Sequence, residues 1–213
     1  MMLNLTFQAL LAITVLFPVI AFLVYFYRDP EREVAENDNI IVSPADGKLV
    51  YLDRIENGAI RGIQDEKIEL KNLTWIDLPI KDGYIFGIYM SPFDVHVNRS
   101  PINGKVVMIK SFKGKRLRLG NPRFRTLNRR NVIVIQHPKG FYVAIIQIAA
   151  LIIGKIDCYV KEGDNVVIGQ RIGRVHFGSH VDLIIPSMDN VKIRGVKGMK
   201  VLAGETILVE NVF

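Results

Sequence analysis

Cysteine is all but missing from this 213-residue chain, where Cys158 stands alone. One thiol excludes an intramolecular disulfide framework and any cysteine-built zinc cluster. Histidine is scarce too, and four residues leave little material for a His-rich metal site. Charge is absent from the first 27 residues, which contain no Asp, Glu, Lys, Arg or His. Acid is absent from residues 105–130, which hold ten Lys and Arg. Beyond the uncharged start no stretch has a long helical period. At 49% hydrophobic and 23% charged the composition is neither disordered nor collagen-like. The charged remainder suits one domain with a sizeable core and is too short for two ordinary ones.

The uncharged start reads LTFQALLAITVLFPVIAFLVYFY from Leu5 to Tyr27. As a helix of about 23 residues it would extend roughly 34 Å, against a hydrocarbon core of about 30 Å. Its Leu, Ile, Val and Phe side chains each favour insertion by roughly 0.3–0.6 kcal/mol, which together outweighs Gln8 and Thr14. Phe22, Tyr25, Phe26 and Tyr27 fall where an interfacial aromatic belt would lie. A cleaved signal peptide fits worse, because no basic region precedes the run and no small-residue cleavage site follows it. A buried core helix is the bland alternative, and Pro18 leaves a re-entrant or monotopic anchor open. Arg28 and Arg32 on the C-terminal side put the body of the chain in the cytoplasm by the positive-inside rule. The expected organisation is a transmembrane anchor over residues 1–30 in the cell membrane and a single domain over 31–213.

The body is predicted to be mainly β, with short apolar runs punctuated by Gly, Pro and Asn-Gly pairs. Candidate strands are Gly47–Leu52, Tyr84–Met90, Lys105–Lys110, Val132–Gln136, Tyr142–Ile148, Arg171–Val175, Val181–Ile185 and Thr206–Glu210. Ala149–Ile153 reads equally as helix or strand. An internal repeat, G-x-x-V-x-x-G-x-x-I, occurs at Gly163, Val166, Gly169, Ile172 and again at Gly198, Val201, Gly204, Ile207. Glycine at both ends of a short apolar stretch suits two tight turns around one brief strand. Two such units look like the turn–strand–turn element of barrel-sandwich folds, and a generic pair of β-turns is the plainer reading.

The net charge of +7 favours an anionic partner. On an anchored protein each Lys or Arg near an anionic leaflet contributes about 1 kcal/mol. Nucleic acid is disfavoured, since Phe112 and Phe124 are the only aromatics in the basic stretch and no recognition motif occurs. Arg129 and Arg130 could instead be buried in ion pairs.

Three segments set an unusual polar group beside turn residues: Ser43-Pro44-Ala45-Asp46-Gly47, Ser91-Pro92-Phe93-Asp94-Val95-His96-Val97-Asn98-Arg99, and Phe177-Gly178-Ser179-His180. Each alone is weak. An Asp–His–Ser site is recognised by geometry, which sequence does not supply.

Together and in this order, the segments resemble the short form of the phosphatidylserine decarboxylase proenzyme family. The resemblance runs from Phe26-Tyr27-Arg28-Asp29-Pro30 essentially to the C-terminus and includes E-G-D-x-V-x-x-G-Q at Glu162–Gln170. It implies autocatalytic cleavage between Gly178 and Ser179 into chains 1–178 and 179–213, with Ser179 becoming a pyruvoyl group. It implies decarboxylation of a serine-headgroup phospholipid, phosphatidylserine or archaetidylserine, to ethanolamine with release of CO₂. The pyruvoyl carbonyl and its conjugated amide would accept the electron pair that CO₂ leaves behind. Asp46, His96 and Ser179 are the catalytic residues so implied, with His96 oriented by Asp46 and no metal. A homodimer of cleaved chain pairs is the implied assembly. Three positions depart from the pattern: Arg99 stands where the longer branch has a second histidine, Asn128-Arg129-Arg130 replaces N-E-R, and His176 and His180 bracket the cleavage site. The i,i+4 spacing of that pair would suit metal binding on a helix but not on strands.

Two other classes compete. A non-enzymatic membrane-tethered barrel-sandwich adaptor or carrier fits the repeat and the anchor, but no coiled-coil arm is present and Met199-Lys200 falls inside the repeat, away from a hairpin tip. A basic nucleic-acid binder ranks last, and would bind in a salt-sensitive way.

Overall fold

Runs such as Val132–Ile135 and Val143–Ile146 are rich in β-branched residues, and such side chains stand well on a pleated surface covered on both sides. In the computed structural model they form the centre of an eight-stranded sheet. The structure describes all residues except 1, 36, 62–66, 151–153 and 178, and in the first helix it describes no side chains at 2–6, 9, 11 and 12. In chain order the elements begin with α1 (Met2–Phe26), β1 (Ile40–Val42), β2 (Gly47–Ile55), β3 (Ala59–Arg61), β4 (Lys67–Glu69) and α2 (Leu70–Thr74). Next come β5 (Gly83–Met90), β6 (Val97–Arg99), β7 (Gly104–Phe112), α3 (Phe124–Leu127), β8 (Arg130–Gln136) and β9 (Tyr142–Ala149). The last are β10 (Ile156–Cys158), β11 (Asn165–Val166), β12 (Arg171–Val175), β13 (Ser179–Pro186), β14 (Lys192–Ile193), β15 (Lys200–Val201) and β16 (Ile207–Glu210).

The large sheet is antiparallel in the order β11-β7-β8-β9-β13-β5-β2-β15 and curls into a half-barrel. Its inner face carries Ile88, Ile133, Ile145, Val181 and Leu183, packed against Ile41 and Val209 of the small β1-β16-β14 sheet. Its outer face carries Ile85, Val132, Ile146 and Ile184, covered by Leu70 and Leu73 of α2. Successive residues of one strand thus serve two cores, as the period of two requires.

The two Gly-rich units end this sheet. β11 pairs with the start of β7 and β15 with the start of β2. Gly163 and Gly198 have φ of 95° and 96°, and Gly169 and Gly204 have 78° and 81°, all in the left-handed region open to glycine. The sheet curls until these edges meet, and a Cβ on Gly204 would stand 3.2 Å from the Gly169 Cα.

All eight candidate strands are present, some longer than expected. Ala149–Ile153 falls largely on 151–153, outside the described residues. For α1 the outcome is narrower than the transmembrane expectation: among the described residues no helix is long and apolar enough to cross a membrane. Phe26 also departs from the aromatic-belt reading, being fully buried against the domain.

Candidate active site

The S-P-F-D segment forms a turn closed by Asp94, whose Oδ2 accepts from the Ser91 amide at 2.8 Å and the Ser91 hydroxyl at 2.7 Å. That turn brings the Asp94 carbonyl to 2.8 Å from His96 Nδ1. A carbonyl only accepts, so Nδ1 carries the proton and the neutral ring presents a lone pair at Nε2. Nε2 is buried, with no hydrogen-bond partner among the described residues. Burial lowers the His96 pKa to about 4, although the Asp94 carbonyl and carboxylate oppose it. The imidazole is therefore neutral at pH 7 and able to act as a base.

Ser179 is the first residue of β13 and is fully buried. Its hydroxyl donates to the Val175 carbonyl at 3.3 Å, while the Val175 amide donates to the His96 carbonyl at 3.2 Å. One residue of β12 thus joins the serine and histidine segments. Gly178 lies outside the described residues. Its neighbour Phe177 has φ of 41°, costly for a bulky side chain and worth of order 1–3 kcal/mol of strain. Phe26 holds Phe177 there, ring on ring at 3.9 Å and 5° from parallel, and lies 4.2 Å from the His96 ring.

The end of α1 is fastened by charge as well. Asp29 accepts from Arg99 at 3.1 Å and from Arg171 at 2.6 Å. Arg99, at the position of the longer branch's second histidine, is buried and also bonds the Gly169 and Pro30 carbonyls. It ties the R-D-P segment to the first Gly-rich unit. Asp46 serves the second unit: Oδ1 accepts from the Ala203 amide at 2.8 Å and Oδ2 from Arg32 at 2.7 Å. Burial pushes the Asp46 carboxyl above its usual range, against the pull of Ala203 and Arg32. Among the described residues Asp46 makes no hydrogen bond to His96; the Asp94 carbonyl orients that ring. Val175 thus links Ser179 to His96, while Asp46 bonds Arg32 and Ala203.

His176 and His180 serve different partners. His176 Nε2 lies 2.7 Å from Asp157, and its Nδ1 lies 3.2 Å from the Tyr27 hydroxyl. His180 Nε2 lies 2.9 Å from Asp182 and 2.8 Å from the Tyr51 hydroxyl. In the basic stretch Arg130 is buried as anticipated, held by the Leu73 and Asn128 carbonyls and stacked over Trp75 instead of being ion-paired. Phe26 and Phe177 carry no titratable group and so escaped a search for chemistry, although both lie inside the matching motifs.

Residues 19–209 match the phosphatidylserine decarboxylase family. A candidate archaetidylserine decarboxylase proenzyme of Methanocaldococcus jannaschii is 37% identical over 191 residues, covering 89% of this chain and 90% of that protein. The equivalent protein of Methanothermobacter thermautotrophicus is 38% identical over 91% of this chain and 82% of its own length. A phosphatidylserine decarboxylase proenzyme of Geobacter metallireducens is 37% identical over 88% of this chain and 76% of its own length.

Proposed function

Because the chain belongs to the phosphatidylserine decarboxylase family, carboxy-lyase proenzymes whose pyruvoyl group is made from a serine, we propose that Ser179 is that serine, that the cut falls between Gly178 and Ser179, and that His96 is the base. Ser179 Oγ attacks the carbonyl carbon of residue 178 while His96 Nε2 takes its proton, exchanging an amide for an ester. Loss of the Ser179 α-proton then breaks the Cβ–Oγ bond and frees residue 178 as a carboxylate. Water replaces the remaining nitrogen, which leaves as ammonia. The resulting ketone supplies an electron sink that no ordinary side chain offers. The same His96 nitrogen, once protonated, returns a proton to the carbon that has lost CO₂.

The observation that carries this reading is that Val175 bonds both the buried Ser179 hydroxyl and the His96 carbonyl, with the His96 Nε2 buried and without a partner among the described residues and Phe177 strained next to the bond to be cut. Asp46 acts at one remove, pinning its turn to Arg32 and Ala203. We read the domain, residues 31–213, as barrel-sandwich-like, and residues 1–30 as a membrane anchor with the domain on the cytoplasmic side. Exposed Phe7, Val15, Leu16, Phe17, Val19 and Ile20 support the anchor, since they leave α1 apolar around its circumference. The anionic membrane surface and a homodimer of cleaved pairs complete the proposal.

Intact mass of the purified full-length protein tests it. The expected products are chains 1–178 and 179–213, the latter blocked by a pyruvoyl, with CO₂ released from serine-headgroup lipid. A Ser179→Ala variant that still splits at this bond would refute it.

A further inference from the structure

On the opposite face of β13 from Ser179 lies a different set of groups. His180 and Asp182 project there, fully or almost fully buried, and the Tyr51 hydroxyl donates to Asp182 Oδ1. The second Asp182 oxygen has no partner among the described residues. Over them opens a cavity of about 400 Å³ whose polar wall is Arg61, Arg125, Lys197, Tyr51, His180 and one acid, Asp53. Arg125 stacks 3.8 Å over the Tyr51 ring and stands 3.9 Å from Asp53. Burial works against its charge, but Tyr51, Asp182 and Asp53 more than offset that. Its Nε and one Nη are buried, without a hydrogen-bond partner among the described residues. Three cations at the wall against Asp53 there and Asp182 beneath it leave the cavity net positive, a site for an anion.

We propose that this cavity holds the phosphodiester of the serine-headgroup lipid, with Arg61, Arg125 and Lys197 as its binding residues. The assignment rests on the decarboxylase reading above. Such a headgroup has two anions, and they make opposite demands. The carboxylate must leave as neutral CO₂, so a cation gripping it would stabilise the ground state more than the transition state. The phosphate keeps its charge throughout, so cations there add affinity without opposing the chemistry. Position agrees. The His180 backbone nitrogen is bonded to the carbonyl carbon of residue 179, so the cavity wall and the reacting residue are consecutive on one strand. In the substrate the phosphorus is three bonds from the carbon that loses CO₂, which matches a cavity beginning one residue away.

The test uses full-length Ser179→Ala protein, which on the proposal above stays a single chain, titrated with soluble short-chain phosphatidylserine. Arg61 and Lys197 are exposed, so Arg61→Gln with Lys197→Gln leaves the fold in place. The Kd should weaken about tenfold or more, and inorganic phosphate should compete with the lipid. In the self-cleaving parent the same pair should raise KM by a similar factor, hold kcat within about twofold, and leave cleavage complete by intact mass. Arg125→Lys, which keeps charge but loses the planar fork, should weaken binding less than the pair does. An unchanged Kd overturns the assignment. So does an equal loss of binding to vesicles of phosphatidylcholine mixed with phosphatidylglycerol, because the cations would then serve the membrane surface. If the parent releases CO₂ while Kd does not move, the cavity assignment falls alone; if it neither cuts itself nor releases CO₂, the reading beneath falls with it.

Discussion

Replacing Phe26 with alanine removes the ring that covers His96 and holds Phe177, and it should show in the pH dependence of self-cleavage. With the His96 pKa near 4, the ring is about 90% neutral at pH 5. Opened to water, it would climb toward its ordinary value of about 6.5, where only about 3% is neutral at pH 5. The expected loss is therefore roughly 30-fold in cleavage rate at pH 5, shrinking to about what relaxation of Phe177 costs at pH 8. Phe26→Leu, which stays apolar, should keep the acid limb near that of the parent. Freshly translated precursor, jumped to a series of pH values and followed by gel and intact mass, gives both profiles. Coincident acid limbs for parent and Phe26→Ala would refute the assignment of His96 as the base whose burial sets the pH dependence.

The same burial has a consequence for stability with a definite sign. Above about pH 6.5 His96 is neutral folded or unfolded and contributes no pH dependence. Between about 6.5 and 4 the unfolded chain takes up a proton that the folded chain refuses, so stability falls as pH falls. Below about 4 the penalty levels off at about 3 kcal/mol, from roughly 1.4 kcal/mol per pKa unit.

Asp46→Asn breaks a buried ion pair and should cost on the order of 3 kcal/mol in urea denaturation while leaving the acid limb of cleavage where it is, since Asp46 bonds Arg32 and Ala203 instead of His96. Gly47→Ala should give little folded protein, because Gly47 has φ of 146° and a Cβ there would overlap the Tyr89 carbonyl of the paired strand; solubility and circular dichroism report it. Tyr51→Phe takes the hydroxyl from a buried carboxylate that already has one unpartnered oxygen, and should lower the unfolding free energy by about 1–3 kcal/mol with self-cleavage intact.

The strands were legible because their apolar runs are bounded by residues that make turns for physical reasons. The Gly-rich repeat was legible because glycine alone accepts the left-handed φ that recurs at Gly163 and Gly198 and at Gly169 and Gly204. The ordered motifs of the family resemblance pointed to Ser179 and His96, but no residue type announces that a backbone carbonyl, here that of Asp94, orients an imidazole. Arg99 looked like a replaced histidine, and only the folded chain reveals its role as a tie between Asp29 and Gly169. The Tyr51–Asp182–His180 cluster joins residues about 130 positions apart, a pairing set by sheet order and absent from any local pattern.

Sheet order also accounts for how a protein of this kind survives its own cleavage. β13 lies between β9 and β5 in the middle of the large sheet, and Ser179 pairs with Ala149 on one side and Met90 on the other. Residues 179–213 supply β13, the edge strand β15, and β14 and β16 of the small sheet, so Val181, Leu183, Ile185, Val201, Leu208 and Val209 would all stay buried after the cut. Separating the pieces would strip two ladders from β13 and expose those six apolar side chains, each worth roughly 1.5–3 kcal/mol of burial. A chain end made there would therefore be held on both sides while the bond before it is lost. A serine at a strand edge or in a loop would be released by the same chemistry. If Ser179 is the serine that is cut, its place at the head of a central strand would keep it fixed beside the His96 segment, as a group made by self-cleavage must be if it is then to serve as a catalyst.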